Sequence, residues 1–173
     1  MRALSDRDRI QRLMRALGRA AERDVRVYFT GGATAVLLGW RASTIDVDLI
    51  LVPDDGALLR AIPALKEELQ INVELASPAH FIPVPPGWED RSTFIAQEGR
   101  AAFYHFDLYA QALAKVERAH RQDLDDVREM LVRELIEPAR AREYFAQLEP
   151  ELYRFPAIHA ASYRRAVEAA FQN

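Results

Sequence analysis

Residues Val25 to Val52, VRVYFTGGATAVLLGWRASTIDVDLILV, constrain this chain more than any other stretch. VRVYF is a short run of β-branched and aromatic residues and predicts a strand. Thr30-Gly31-Gly32 follows at once, and glycine there permits backbone angles closed to other residues and a close approach of main chain to a neighbour or ligand. About two helical turns, ATAVLLG, end at Gly39, and Arg41 to Thr44 lead into a second strand, IDVDLILV. Alternate side chains of a strand share a face, so Asp46 and Asp48 point the same way while Ile45, Val47 and Leu49 are expected in the core. Two carboxylates on one face repel unless a cation neutralises them, and oxygen-only ligands suit Mg²⁺ or Mn²⁺. A glycine pair facing such a pair of acids predicts a polyphosphate held between backbone N–H groups and divalent ions.

These residues carry a resemblance. Gly31-Gly32, thirteen intervening residues, then Asp46-Val47-Asp48-Leu49 resembles the signature of the polymerase-β-like nucleotidyltransferase superfamily. The denser pattern on Gly31, Gly32, Ala33, Gly39, Arg41, Thr44, Asp46 and Asp48 is similar to the small AbiEii and MenT toxin-like members and their uncharacterised relatives. The resemblance implies transfer of an NMP from an NTP to an acceptor, with NTP as substrate and Mg²⁺ or Mn²⁺ as cofactor. The acceptor it implies is a tRNA end or another RNA, as in a toxin–antitoxin system with a cognate partner protein. An alternative is a hydroxyl of a partner protein, as in antitoxin-type enzymes that adenylylate their toxin. The same residues also suit a non-catalytic module of this fold that holds a nucleotide or a partner.

In-line displacement at an α-phosphorus needs at least two carboxylates on one face, and the superfamily brings a third from a neighbouring strand. Asp46 and Asp48 are assigned as metal ligands and catalytic groups. Glu74, the acid of a third strand INVELAS, faces away from Ile71, Val73 and Leu75. It is assigned as third ligand or general base, against the plainer reading of a solvent-facing strand acid. Thr30, Gly31, Gly32, Arg41 and Thr44 are assigned to the nucleotide. Arg41 is either a bidentate phosphate ligand or a plain loop arginine, and the Thr44 hydroxyl is positioned to cap or orient Asp46. A second segment, DLYAQALAKVERAHRQDLDDV, resembles the family's K–R helix followed by a D-x-x-D helix. It assigns Lys115 to catalysis and phosphate binding and Arg118 to phosphate or to an ion pair with Asp123 or Asp126. Lys115 and Arg118 are three apart and share a helix face.

The rest of the chain supplies the frame. Ser5 with Asp8 three residues on predicts a capping-box start to a helix from about Asp6 to Arg23. Its apolar side is Ile10, Leu13, Met14, Leu17 and Ala21. Arg12, Arg15, Arg19, Arg23 and Arg26 form a basic stripe that is either an RNA or triphosphate contact or a solvated helix face. Asp54 or Asp55 caps a helix to about Leu69. Pro78 to Asp90 reads as a loop, Ser92–Gln97 and Ala101–His105 as a hairpin about Glu98-Gly99. Asp107 is an expected N-cap, and four helices follow, the last capped at Pro156.

The chain therefore reads as α/β (α+β), a small mixed sheet flanked by helices with a mainly helical C-terminal half. Residues 1–106 form the core with its N-terminal helix, and 107–173 pack on it as one compact unit. With 173 residues and no cysteine there is room for a sizeable core, and no disulfide, thiolate metal site or cysteine nucleophile is available. A net charge of −3 does not mark a nucleic-acid binder. No apolar run approaches the roughly 20 residues of a membrane span, and the N-terminus lacks a signal-peptide apolar region, so the expectation is a cytoplasmic protein with no membrane partner. His80, His105, His120 and His159 lack metal-ligand spacing and read as structural or surface residues.

Overall fold

The computed structural model describes residues 3–172, and they divide into two compact units. The first runs to Ser77 and resumes at Ser92–Phe106; the second joins Pro78–Arg91 to the chain from Asp107 onward. Segment 78–91, a loop of the α/β part by sequence, is thus part of the helical unit.

The first unit is built on a five-stranded mixed sheet. In chain order its strands are β2 (Val25–Thr30), β4 (Asp46–Val52), β5 (Asn72–Leu75), β6 (Thr93–Glu98) and β7 (Ala101–His105), and in space they lie β5-β4-β2-β7-β6. β2 is antiparallel to β4 and parallel to β7; β5 is parallel to β4, and β6 and β7 form the antiparallel hairpin. Two short strands, β1 (Ser5–Asp6) and β3 (Ser43–Thr44), pair with each other, Ser5 opposite Thr44. Three helices complete the unit: α1 (Arg7–Ala20), α2 (Gly32–Leu38) and α3 (Gly56–Glu68).

Side-chain alternation decides which face of the sheet is covered. Val27 and Phe29 of β2, Val47, Leu49 and Leu51 of β4, and Phe103 of β7 are buried in one cluster. The apolar sides of the helices close that cluster: Ile10, Leu13 and Leu17 of α1, Val36 of α2, Leu58 and Ile62 of α3. The stripe Ile10–Leu13–Leu17 has helical spacing, so α1 buries one side and leaves its arginines outside. Arg12, Arg15 and Arg19 are exposed on a helix that covers the sheet face opposite to the one bearing Asp46 and Asp48. Arg26 is on β2 and shares the acids' face, where it lines a pocket of about 440 Å³ with Val52, Gln97, Arg100 and Tyr104.

Several local expectations shift. The cap of α1 is Asp6, whose side chain accepts a hydrogen bond from the Arg9 amide at 2.9 Å, because Ser5 is drawn into the β1–β3 pair. Ile45 is 53% exposed: a bend separates β3 from β4, so the alternation of β4 starts at Asp46 and does not reach back to Ile45. Asp55 is the cap of α3, accepting from the Leu58 amide at 2.9 Å. That backbone hydrogen bond, with the nearby Arg23, holds its carboxyl below the usual value. α1 lies directly on the β6–β7 turn. A Cβ at Gly18 would sit 2.3 Å from the Glu98 carbonyl oxygen, and one at Gly99 2.5 Å from the Gly18 carbonyl oxygen, so only glycine fits either place.

The second unit is helical. After a 3₁₀ turn at Pro78–His80 come α4 (Trp88–Arg91), α5 (Leu108–Arg118), α6 (Arg121–Val132), α7 (Pro138–Leu148), a second 3₁₀ segment at Glu149–Arg154 and α8 (Ala160–Ala170). Arg91 binds segment 78–91 to the helices: it forms two hydrogen bonds to Asp107 Oδ2, at 3.0 and 2.8 Å, and others to the carbonyls of Pro85 and Pro86. Its guanidinium also lies 4.2 Å from the centre of the Tyr144 ring. Asp107 caps α5 as expected, with Oδ1 accepting from the Tyr109 amide. α8 starts later than expected, at Ala160, with His159 as its cap.

Candidate functional site

The glycine pair lies where β2 turns into α2. Gly31 has φ +62° and ψ −130°, a conformation that an L side chain resists. A Cβ there would also come 3.1 Å from Asp48 Oδ2, so the Asp48 carboxylate lies against the main chain of Gly31. Gly32 makes room for something closer. A Cβ at Gly32 would meet Thr44 Oγ1 at 2.0 Å and Arg41 Nη1 at 3.3 Å. The missing side chain lets the Arg41–Thr44 segment fold down onto the head of α2. Thr44 Oγ1 then donates a hydrogen bond of 3.0 Å to the main-chain oxygen of Asp46, fixing the backbone from which the first aspartate projects.

The sheet register brings the acids together. Thr30 is opposite Asp48, and Asp48 is opposite Glu74; one step along, Asp46 is opposite Asn72. Cross-strand partners share a face. Thr30, Asp48 and Glu74 therefore form a row across three strands, with Asp46 and Asn72 forming the row beside it. Asp46 and Asp48 are half-buried and Glu74 is exposed. The Asn72 carboxamide lies between two of the acids: its Nδ2 donates to Asp46 Oδ1 and, at 3.4 Å, to Glu74 Oε1. Asn72 escaped the sequence reading. The signal for it was its place two residues before Glu74 on the same face, but its pairing with Asp46 depends on the β4–β5 register.

The donor set is all oxygen, as a hard divalent cation requires. Asp48, pressed against a glycine whose conformation an L side chain resists, and Asp46, its neighbour on the face, suit such an ion. Among the described residues no group of three or more His, Asp or Glu side chains is arranged to hold a metal ion. Glu74 meets Asp46 through the Asn72 amide. Under α2, on the other face, His105 Nδ1 lies 3.1 Å from Thr34 Oγ1, and burial pushes its imidazole down to about 4.

Within the helical unit, Lys115 and Arg118 meet both aspartates of the D-x-x-D helix. Lys115 Nζ lies 2.8 Å from Asp126 Oδ2 and 3.4 Å from Asp123 Oδ1. Arg118 grips Asp123 with two hydrogen bonds, at 2.6 and 2.8 Å. Lys115, Asp123 and Asp126 are buried, and the four charges cancel. Burial alone would push the Asp123 carboxyl up; the hydrogen bonds and charges of Arg118 and Lys115 outweigh it and hold the carboxyl below its usual value. The network joins the end of α5 to the first two turns of α6.

A family model described as a nucleotidyltransferase of unknown function (DUF6036) matches residues 8–156, most of the chain. The chain belongs to that family. The matched span takes in the glycine pair, the three acids, Asn72 and the Lys115 network. No curated protein and no solved structure gives a significant match. The family supports a nucleotide as substrate and the mixed α/β fold is that expected; no helix among the described residues is long and apolar enough to cross a membrane.

Proposed function

We propose that the protein transfers a nucleotidyl group from an NTP to an acceptor hydroxyl, with Asp46 and Asp48 holding divalent metal. The observation that carries this reading is the convergence at Gly31-Gly32. Asp48 rests on Gly31, and the Arg41–Thr44 segment rests on Gly32 and anchors the main chain of Asp46. A glycine pair whose space is taken by a carboxylate, a guanidinium and a threonine hydroxyl is more than a tight turn. It brings a phosphate-binding type of side chain and a metal-binding type to the same few ångströms of backbone. In this reading Mg²⁺ or Mn²⁺, when bound, stabilises the charge that grows on the attacking and leaving oxygens. Arg41 contacts the phosphates, Thr30 lies in the row with Asp48, and Glu74 supplies the third acid of the face. Lys115 and Arg118 act in support, by holding α5 to α6 through Asp123 and Asp126.

The acceptor is a tRNA end or another RNA on the toxin-like resemblance and a protein side chain on the antitoxin-like one. The arginines of α1 argue little for RNA, since α1 covers the sheet face away from the acids. The test is to incubate the protein with each α-labelled NTP, Mg²⁺ and either a tRNA pool or a cell lysate. Labelled product that disappears in Asp46→Ala/Asp48→Ala is expected, and its migration with RNA or protein names the acceptor class. No label from the wild-type protein, or label that persists in the double variant, refutes the proposal.

A further inference from the structure

Asn72 stands at the acids without a part in the reading above. One amide nitrogen contacts two carboxylates, Asp46 Oδ1 on β4 and Glu74 Oε1 on its own strand. A carboxamide N–H₂ has two protons to give, and both acids are acceptors when ionised. The register places the three groups within reach of one another. Parallel pairing of β4 with β5 sets Asp46 opposite Asn72 and Asp48 opposite Glu74, so the amide has an aspartate across the ladder and a glutamate two residues along its own strand.

We propose that Asn72 is a positioning residue of the metal site: through its amide it holds the Asp46 carboxylate, and with it Glu74, in fixed rotamers. The inference rests on the transferase reading above. Its physical basis is general. A carboxylate ligand on a two-bond tether swings unless its other oxygen is held, and hydrogen bonds from the surrounding shell do that work at metal centres, where their loss costs about 10–100-fold in metal affinity. Asn72 also offsets the repulsion between Asp46 and Glu74 before any cation arrives, since its amide protons carry the positive end of a dipole to both.

The test measures metal rather than turnover. Mn²⁺ is titrated into the whole protein without nucleotide and the unbound ion followed by electron paramagnetic resonance, for wild type, Asn72→Leu, Asn72→Ala and Asp46→Ala/Asp48→Ala. Asn72→Leu keeps the branching at Cγ and removes the donor. Val73, the residue of β5 that enters the core, is untouched in either variant, and circular dichroism checks the fold. Both Asn72 variants are expected to bind Mn²⁺ about 10–100-fold more weakly than wild type, and nucleotidyl transfer is expected to recover as Mn²⁺ is raised. Wild-type binding with both Asn72 variants within about twofold of it overturns the role of Asn72 and leaves the transferase reading standing. No binding by wild type overturns the role of Asn72 at a metal site, and the transferase reading is then decided by the labelling assay alone.

Discussion

Replacing Lys115 by methionine separates a structural lysine from a phosphate-binding one. Lys115 is 5% exposed and bonds Asp126 at 2.8 Å and Asp123 at 3.4 Å. In Lys115→Met, Asp123 keeps the two hydrogen bonds of Arg118, so the main damage falls on Asp126, which is 2% exposed and loses the ammonium beside it. Removing one partner of a buried ion pair costs about 3–5 kcal/mol, a large share of the ~5–15 kcal/mol that holds an ordinary domain. At a urea dependence of about 2 kcal/mol/M, a loss of ~3 kcal/mol lowers the midpoint by about 1.5 M. The chain has two tryptophans, Trp40 in the α/β unit and Trp88 in the helical one, so a Trp40→Phe background leaves fluorescence that reports the unit containing Lys115. The companion variant is Lys115→Met/Asp126→Asn. Removing both charges recovers most of the loss, because no uncompensated charge is left buried and the volumes are nearly unchanged. A midpoint shift under about 0.5 M for Lys115→Met, near 1 kcal/mol on the same slope, refutes the argument. So does a double variant as unstable as the single.

Gly32→Ala is expected to destroy transfer activity while leaving a folded protein: the new Cβ must displace Thr44 Oγ1, 2.0 Å away, at a cost of about 1–3 kcal/mol, and the Asp46 backbone moves with it. Activity within tenfold of wild type, in a variant whose fold is verified by circular dichroism, counts against the convergence at the glycine pair. The buried His105 predicts a stability that falls with acid. Its folded value, about 4, lies below the ordinary 6.5, so the unfolded chain binds the proton first. The contribution is complete above pH 6.5 and is lost as pH falls towards 4; between pH 7 and pH 5 the loss is ~2 kcal/mol. Urea midpoints of wild type and His105→Asn over that range check it, and equal pH slopes contradict it.

What could be read in the chain, and what could not, follows the range of the interaction concerned. DVDLILV shows its own alternation, and Asp46 and Asp48 share a face as the pattern requires. The pattern of Ile71 to Leu75 likewise puts Glu74 on the face away from Val73, but Leu75, expected beside Ile71 and Val73 on the apolar side, is 51% exposed at the end of the edge strand. Hairpin β6–β7 was visible because Glu98-Gly99 is a local turn signal. The bend at Ile45 was not visible, since it comes from the pairing of Ser5 with Thr44, about forty residues apart in the chain. Nothing in the proline-rich stretch 78–91 marks it for the helical unit; that assignment rests on Arg91 reaching Asp107 and Tyr144. The Lys115 network was half legible. Helical spacing put Lys115 and Arg118 on one face, but only the angle between α5 and α6 decides that the two cations meet Asp123 and Asp126.

Asn72 and Gly32 act on the same aspartate by different routes, and that difference gives the site its sharpest internal check. Gly32 works on the main chain: its bare Cα admits Thr44, and Thr44 holds the carbonyl of Asp46. Asn72 works on the side chain alone, through Oδ1 of the carboxylate. A side chain loosened about its own torsions still reaches a bound ion, at an entropic cost that a higher metal concentration offsets. A displaced main chain carries the carboxylate away from the glycine pair, and mass action does not return it. Raising Mn²⁺ is therefore expected to restore transfer in Asn72→Leu and to leave Gly32→Ala inactive. Restoration of both would mean that the Thr44 contact does not set the position of Asp46, and the reading of the glycine pair as a device for placing the acids would fall with it.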